Sequence, residues 1–358
     1  MNALAELLRA LVATPSPSGE EGALGDAVAA RLQSVGFTTG RAGAGVVAEA
    51  GPEGAPVLML CSHLDTVPAG EHWSADPWQV AWREDRLTGL GANDAKASVA
   101  AMMRAGEEWL AQGAPGGFRL RLAFNALEET TNRGMEEMLV AWGKPDAAVI
   151  GEPTGLEVVS AQSGLAVLEA EWTGRSCHAA HVGRVEHENA LLLAAQDLAN
   201  FPKCLVLGEA HPQCGPSTVA ATVLHAGERH NKVPDRALAV LDARLAPNLN
   251  AERARSEVQA RLPHARVRIR SERLRPFETS SDHLVVRAAL EAAQRAAPVG
   301  SSTMSDMALL QGIPAVKCGP GRTERSHTPN EFVTRQELEA GFRFYARFLA
   351  LAPVAQLA

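Results

Sequence analysis

The sequence holds a single tyrosine, and aromatic residues make up only 4% of it, so it offers little to stack on exposed bases. No long basic block makes up for that: there is nothing beyond Arg-rich spots such as residues 266–275, and the net charge is −7. Nucleic acid is not an expected partner. Cysteine is sparse as well. The five thiols, at positions 61, 177, 204, 214 and 318, are odd in number and form no C-x-x-C pair. That argues against a disulfide framework and fits reduced thiols in a cytoplasmic protein. No apolar run approaches the roughly 20 residues needed to cross a bilayer, so no membrane partner is expected. The first fourteen residues lack the basic start and apolar core of a signal peptide. They place Leu4, Leu7, Leu8 and Leu11 on one helical face instead.

What is present fits a globular enzyme. A chain of 358 residues should form two domains, and 46% hydrophobic with 21% charged residues is ordinary for such a protein. The chain is organised around Val57-Leu-Met-Leu-Cys-Ser-His63-Leu-Asp65. This short apolar run between Pro56 and Pro68 reads as a strand buried on both faces of a parallel sheet. Alternation puts His63 and Asp65 on one side, where Asp65 can accept the second ring N–H of a metal-bound His63.

Around that strand the patterning predicts helices over 3–12 and 20–35 and a strand pair at 46–49 and 57–61. A connection containing Trp73, Trp78 and Trp82 follows, then a helix over 95–112, a strand over 119–124, a helix over 135–142 and a strand over 147–150. Between 156 and 271 the pattern changes. Strands within 157–172, a helix over 188–199, strands over 217–226 and 237–246, a helix over 251–262 and a strand over 266–270 give the β-α-β-β-α-β order of a ferredoxin-like unit. The alternating pattern then resumes with a helix over 284–297, a short helix at 306–310, a strand over 315–318 and a helix over 335–351. The expected organisation is an α/β domain of residues 1–156 and 275–358, with an α+β domain of residues 157–274 inserted.

The chemistry collects where the first domain's strands end. His63, Asp94, Glu128 with Glu129, Glu152 and His327 stand there, and in an open parallel sheet ligands bind outside the carboxyl ends of the strands. Two histidines and three carboxylates suit zinc or a similar divalent ion. Three ligand carboxylates and a bridging hydroxide sum to four negative charges, which two dications balance. Two such ions about 3.5–4 Å apart polarise a carbonyl and acidify a shared water, whose proton a nearby carboxylate can take. The bland readings are that Asp94 caps a helix, Glu128-Glu129 is a solvated pair, Glu152 sits in a turn and His327 in a loop. All four would have to hold together at successive strand ends.

The motifs Ser62-His63-Leu-Asp65-Thr-Val-Pro68, Gly91-Ala-Asn-Asp94-Ala-Lys96, Glu128-Glu129, Gly151-Glu152-Pro-Thr and Ser326-His327-Thr-Pro-Asn-Glu331 resemble, in order, those of the M20 family of dinuclear zinc exopeptidases and deacylases. The resemblance implies a zinc-exopeptidase-like α/β catalytic domain with an inserted ferredoxin-like α+β lid and dimerisation domain, and hence a homodimer. It implies that His63, Asp94 and Glu152 hold one Zn²⁺ while Asp94, Glu129 and His327 hold the other, Co²⁺ being able to substitute. Glu128 becomes the general base, Asp65 orients His63, and a cis peptide is expected at Asp94–Ala95. In the lid, His178 would stabilise the oxyanion in the partner's active site, with Asn231 and Arg244 contacting substrate. Gly319 is expected to bring its backbone N–H near the substrate. Ala95 and Ala97 depart from the Met and Gly the family often has, and neither supplies a ligand.

Glu152, where aminopeptidases and dipeptidases of the family tend to have Asp, leans toward deacylases and carboxypeptidases. The wording of residues 89–98 and 151–155 and of Ser302-Thr-Met-Ser-Asp306 resembles the acetylornithine deacetylase branch. The expected function is therefore removal of an acyl group from an N-acyl amino acid, N-acetylornithine first, in arginine biosynthesis. The alternatives are the branch that releases lysine or ornithine from an amino-group carrier protein, and a di- or carboxypeptidase. Other classes fare worse. A dinucleotide fingerprint starting at Gly89 would need glycine at position 94, which is Asp. A Cys177–His178 thiol pair would point to opposite faces of a strand. A binding protein without catalysis would not need Glu128.

Overall fold

The computed structural model describes residues 3–352; residues 1–2 and 353–358, the ends of the expected first domain, lie outside the described residues. In chain order come α1 (Ala3–Val12), α2 (Gly22–Ser34), β1 (Thr38–Ala42), β2 (Gly45–Ala50) and β3 (Val57–His63). Next are β4 (Trp82–Arg83), β5 (Arg86–Thr88), α3 (Lys96–Ala111), β6 (Arg119–Asn125), α4 (Arg133–Trp142) and β7 (Ala147–Ile150). The middle of the chain forms β8 (Val159–Gln162), β9 (Gly164–Thr173), α5 (Ala190–Asn200), β10 (Leu205–His211), β11 (Gly215–Ala226), β12 (Arg236–Leu245), α6 (Ala251–Gln259), β13 (Ala265–Leu274) and β14 (Phe277–Glu278). Last are α7 (Leu284–Ala293), β15 (Val299–Ser301), β16 (Ala315–Lys317), β17 (Phe332–Thr334) and α8 (Arg335–Leu351).

Two compact units result. One takes the chain up to Ser160 with Thr279–Val299 and everything from Ser305; the other is Ala161–Glu278 with Gly300–Met304. The expected junctions were 156/157 and 274/275, and residues 300–304 were expected in the first domain. The Ser163 N–H donates to Ser301 O at 2.9 Å, which ties that short piece to the second unit.

In the first unit the strand order runs β1-β2-β6-β3-β7-β16. Strands β6, β3, β7 and β16 are parallel. Leu58, Met59, Leu60 and Cys61 are fully buried, as a strand covered on both faces requires. The register sets His63 beside Asn125, Cys61 beside Ile150 and Ile150 beside Lys317. Four carboxyl ends therefore lie side by side and deliver their loops to one edge. The expected pairing of 46–49 with 57–61 does not form. Strand β2 pairs antiparallel with β6, and β3 lies on the far side of β6. Helix α3 is buried almost all round because α1 and α8 pack against it. Its alanines permit that close approach. Helix α8 starts at a full capping box, Thr334 with Glu337.

In the second unit the order β10-β11-β12-β9-β13 is antiparallel throughout. Strands β13, β9, β12 and β11 have the ferredoxin-like arrangement; β10, not anticipated from the sequence, adds an edge. Alternation along β12 sends Ala237, Ala239, Leu241, Ala243 and Leu245 into this unit's own core with Leu168, Ala170, Trp172, Ala194 and Val258.

Candidate metal centre

His63 ends β3 and is 1% exposed. Its Nδ1 lies 2.9 Å from the backbone carbonyl of Asp65, while the Asp65 carboxylate is 3.5 Å away. The expected partner was the carboxylate, but the carbonyl is nearer because the chain turns immediately after β3. A carbonyl only accepts, so Nδ1 carries the proton and Nε2 keeps a lone pair for a ligand. That Nε2 faces Asp94 Oδ1 at 3.2 Å.

Asp94 arrives by a route other than the expected end of a main-sheet strand. A three-stranded sheet, β17-β5-β4, carries both the loop before α3 and the loop after His327. Glu331 joins them: its carboxylate accepts the N–H groups of Asn93 at 2.7 Å, Asp94 at 2.8 Å and Gly91 at 3.3 Å. The helix-cap reading of Asp94 fails, since α3 has Ala95 at its N-cap and no capping side chain. The peptide Asp94–Ala95 is cis, as expected. While Oδ1 faces His63, Oδ2 lies 3.9 Å from His327 Nε2. One carboxylate thus reaches toward both histidines.

Glu128 and Glu129 follow β6 in a turn held by buried acids. Asp65 Oδ1 accepts the Glu128 N–H and Oδ2 the Glu129 N–H, each at 3.1 Å, and Ser18 Oγ donates to Oδ2 at 2.7 Å. Glu21 accepts the Leu127 N–H at 3.0 Å and helps fix Leu127 at φ 59°. Asp65 therefore supports the Glu128–Glu129 turn as well as His63. Glu129 meets His327 Nε2 at 2.9 and 3.0 Å. His63, Asp94 and Glu129 each offer a ligand atom, all within 4.8 Å of one another. Glu152 lies two residues past β7, close enough for its charge to act on Glu128 and His63.

The electrostatics give a test of whether these residues suit a metal. Burial, with the charges of Asp94 and Glu129, pushes Glu152 up to about 8. Burial and then the Glu152 charge raise Glu128 well above its ordinary value. Burial would lower His63, but its contacts with Asp65 and Asp94 win and raise it. Glu129 raises the half-exposed His327 to about 9. Glu128, Glu152 and both imidazoles are driven toward protonation, as befits a cluster short of positive charge, while contacts with His63 hold Asp94 below its ordinary value. The donor set, imidazole and carboxylate, is the one divalent zinc-like ions take. The residues fit.

The remaining expected residues lie apart from this cluster in sequence. His178 is exposed and caps the turn Ala179–His181, its Nδ1 accepting the Ala180 N–H at 3.1 Å. Asn231 belongs to the same loop cluster, its carbonyl accepting the Ala179 N–H at 2.9 Å. The Arg244 fork is taken by Asp242 at 2.8 and 3.1 Å. Gly319 is buried and its N–H donates to Thr154 Oγ1 at 3.2 Å, so the group expected to meet substrate is engaged. A Cβ there would fall 2.6 Å from Ser98 Oγ and 2.7 Å from Glu152 O, which accounts for the glycine by packing.

The model of peptidase family M20/M25/M40 matches residues 59–351. The chain belongs to that family. It is a hydrolase of the M20 type, with a mixed α/β fold. Among its relatives, an acetylornithine deacetylase of Vibrio parahaemolyticus is 29% identical over 79% of this chain and 78% of its own length. A succinyl-diaminopimelate desuccinylase of Xylella fastidiosa is 31% identical over 73% of each. A dinuclear metal-binding M20 peptidase of Bacillus subtilis superposes with a TM-score of 0.73 at 18% identity, covering 99% of this chain and 97% of that one.

No local pattern marks Glu331, at the end of Ser326-His327-Thr-Pro-Asn-Glu331, or Glu21 as a buried acceptor of distant N–H groups. Replacing Glu331 by Ala is expected to weaken metal binding about 10- to 100-fold, the usual cost of removing a residue that holds a ligand in place. Metal titration with a competing chelator reads this directly, and an unchanged affinity would show that the Asp94 loop needs no such support.

Proposed function

We propose that this chain removes the acyl group from an N-acyl amino acid, with N-acetylornithine as the first candidate, using two zinc ions. The observation carrying the reading is the divided Asp94 carboxylate, one oxygen 3.2 Å from His63 and the other 3.9 Å from His327. His63, Asp94 and Glu152 would hold one ion, and Asp94, Glu129 and His327 the other. When bound, the pair supplies polarisation of the amide carbonyl and a water acidic enough to lose its proton near neutral pH. Glu128 takes that proton and returns it to the leaving amine. Asp65 keeps His63 and the Glu128–Glu129 turn in position. The acyl-amino-acid class draws support from the relatives, which include an N-acetyl-L-citrulline deacetylase of Xanthomonas campestris, 26% identical over 91% of this chain.

In this reading the protein works as a cytoplasmic homodimer, and the lid's His178 steadies the oxyanion in the partner's site. His178→Ala is then expected to lower kcat about 100-fold with metal content unchanged, and a fully active monomer would refute the shared site. The substrate is tested by metal analysis followed by a panel of acetylornithine, succinylornithine, acetyl-lysine, acetylcitrulline and a dipeptide. Fastest turnover of acetylornithine supports the proposal. Preference for the dipeptide would make the protein a peptidase of the same family.

A further inference from the structure

Asn132 begins α4 but does not cap it. Its side chain turns away from the helix, and its Nδ2 donates to Glu128 Oε1 and to Asp306 Oδ1, each at 3.2 Å. Asp306 Oδ2 in turn accepts from Asn125 Nδ2 at 2.8 Å, and Asn125 ends β6 next to His63 on β3. Asp306 is 2% exposed and Asn132 8%. The arrangement has only one sense. An amide nitrogen has two hydrogens, and here each goes to a different carboxylate. Flipping the amide would set its oxygen against two carboxylate oxygens.

We propose that Asp306 is a positioning residue for Glu128, acting through Asn132. Asp306 fixes the amide, the amide holds Glu128 Oε1, and Oε2 is left as the oxygen that takes the proton. Asp306 touches neither substrate nor reacting atoms in this account. The proposal rests on the reading of Glu128 as the base. It gives a role to Ser302-Thr-Met-Ser-Asp306, a motif that the metal site leaves without one. It also explains why an asparagine at a helix start, in the left-handed region at φ 52°, leaves the cap unmade.

The decisive variant is Asn132→Gly, which removes the amide while tolerating the positive φ. Its kcat on the five-compound panel is expected to fall about 10- to 100-fold, as a misplaced reacting group does, with KM and zinc content unchanged. Asp306→Ala, which takes both acceptor oxygens away from the two amides, should do the same. Within a Glu128→Gln background, Asn132→Gly should add nothing. A crystal structure of Asn132→Gly should show Glu128 in more than one rotamer, against a single one in the parent. Parent-like kcat together with an unmoved Glu128 in Asn132→Gly would overturn the proposal. If Glu128→Gln alone keeps full activity, the base assignment fails instead, and the rotamer comparison still decides whether Asn132 fixes Glu128.

Discussion

A Glu128→Gln protein is expected to bind its full metal complement and lose about 10²- to 10⁴-fold in kcat, the share that general acid–base catalysis supplies. The substitution changes little else. Glutamine has the shape of glutamate, and its oxygen can still accept from Asn132, as Glu128 Oε1 does at 3.2 Å. The backbone N–H groups of residues 128 and 129 remain bound to Asp65, so the turn survives. What disappears is the ability to receive a proton from water and hand it to the amine. The proposed metal ligands are other residues, so metal content and melting temperature should match the parent, with the loss in kcat and KM nearly unchanged. Turnover within a few-fold of the parent would remove Glu128 from the mechanism.

The sequence made the local parts of this site readable and left the long-range parts hidden. An apolar run ending in His63-Leu-Asp65 announces a buried strand delivering a histidine, because strand burial and alternation are local properties. Strand order is not local. Nothing in 46–49 or 57–61 says that β6, some sixty residues on, inserts between them. Strands β1 and β10 escaped notice because Thr38, Thr39, Gly40 and Arg41, like Gly208 and Glu209, break the apolar pattern of a strand. The five proposed ligand residues could be named from their motifs. Glu331 and Glu21, which hold those motifs in place, could not, since they act on backbone N–H groups far along the chain. Glu331 holds Asp94 across 237 residues, and Glu21 holds Leu127 across 106. Asp306 meets Asn132 across 174. No periodicity carries that information.

Stripped of metal by chelation, the chain is expected to lose stability as pH rises from about 5 to about 9, whereas the zinc-loaded chain should hold its melting temperature. The groups responsible keep their protons longer folded than unfolded. Burial, with the charges of Asp94 and Glu129, raises Glu152 from 4.5 to about 8. Burial also raises Glu331 to about 7, and Glu129 raises His327 from 6.5 to about 9. Between its ordinary and its raised value, each group binds more protons in the folded chain, so stability declines with pH across that interval. Glu152 and Glu331 begin the decline near 4.5 and complete it by about 8, and His327 extends it to about 9; Glu128 and His63, both raised, act in the same direction. Asp65 and Asp94 run the other way. Burial opposes their ionisation, but contacts with His63 hold both below 3.8, so what they contribute is lost only in acid, outside this window. Buried Lys96, lowered from 10.5 to about 7, also runs the other way and offsets part of the decline above pH 7, with or without metal. Metal ligands must be deprotonated, and a bound dication displaces these protons and flattens the curve. The gap between zinc-loaded and metal-free melting temperatures should therefore widen with pH, by on the order of 5–10 °C, since about 1 kcal/mol moves the midpoint of a 150–250-residue domain by roughly 2–4 °C. Thermal unfolding at pH 5, 7 and 9, with EDTA and with zinc, measures it. Parallel curves would mean that the cluster's charge is balanced without metal.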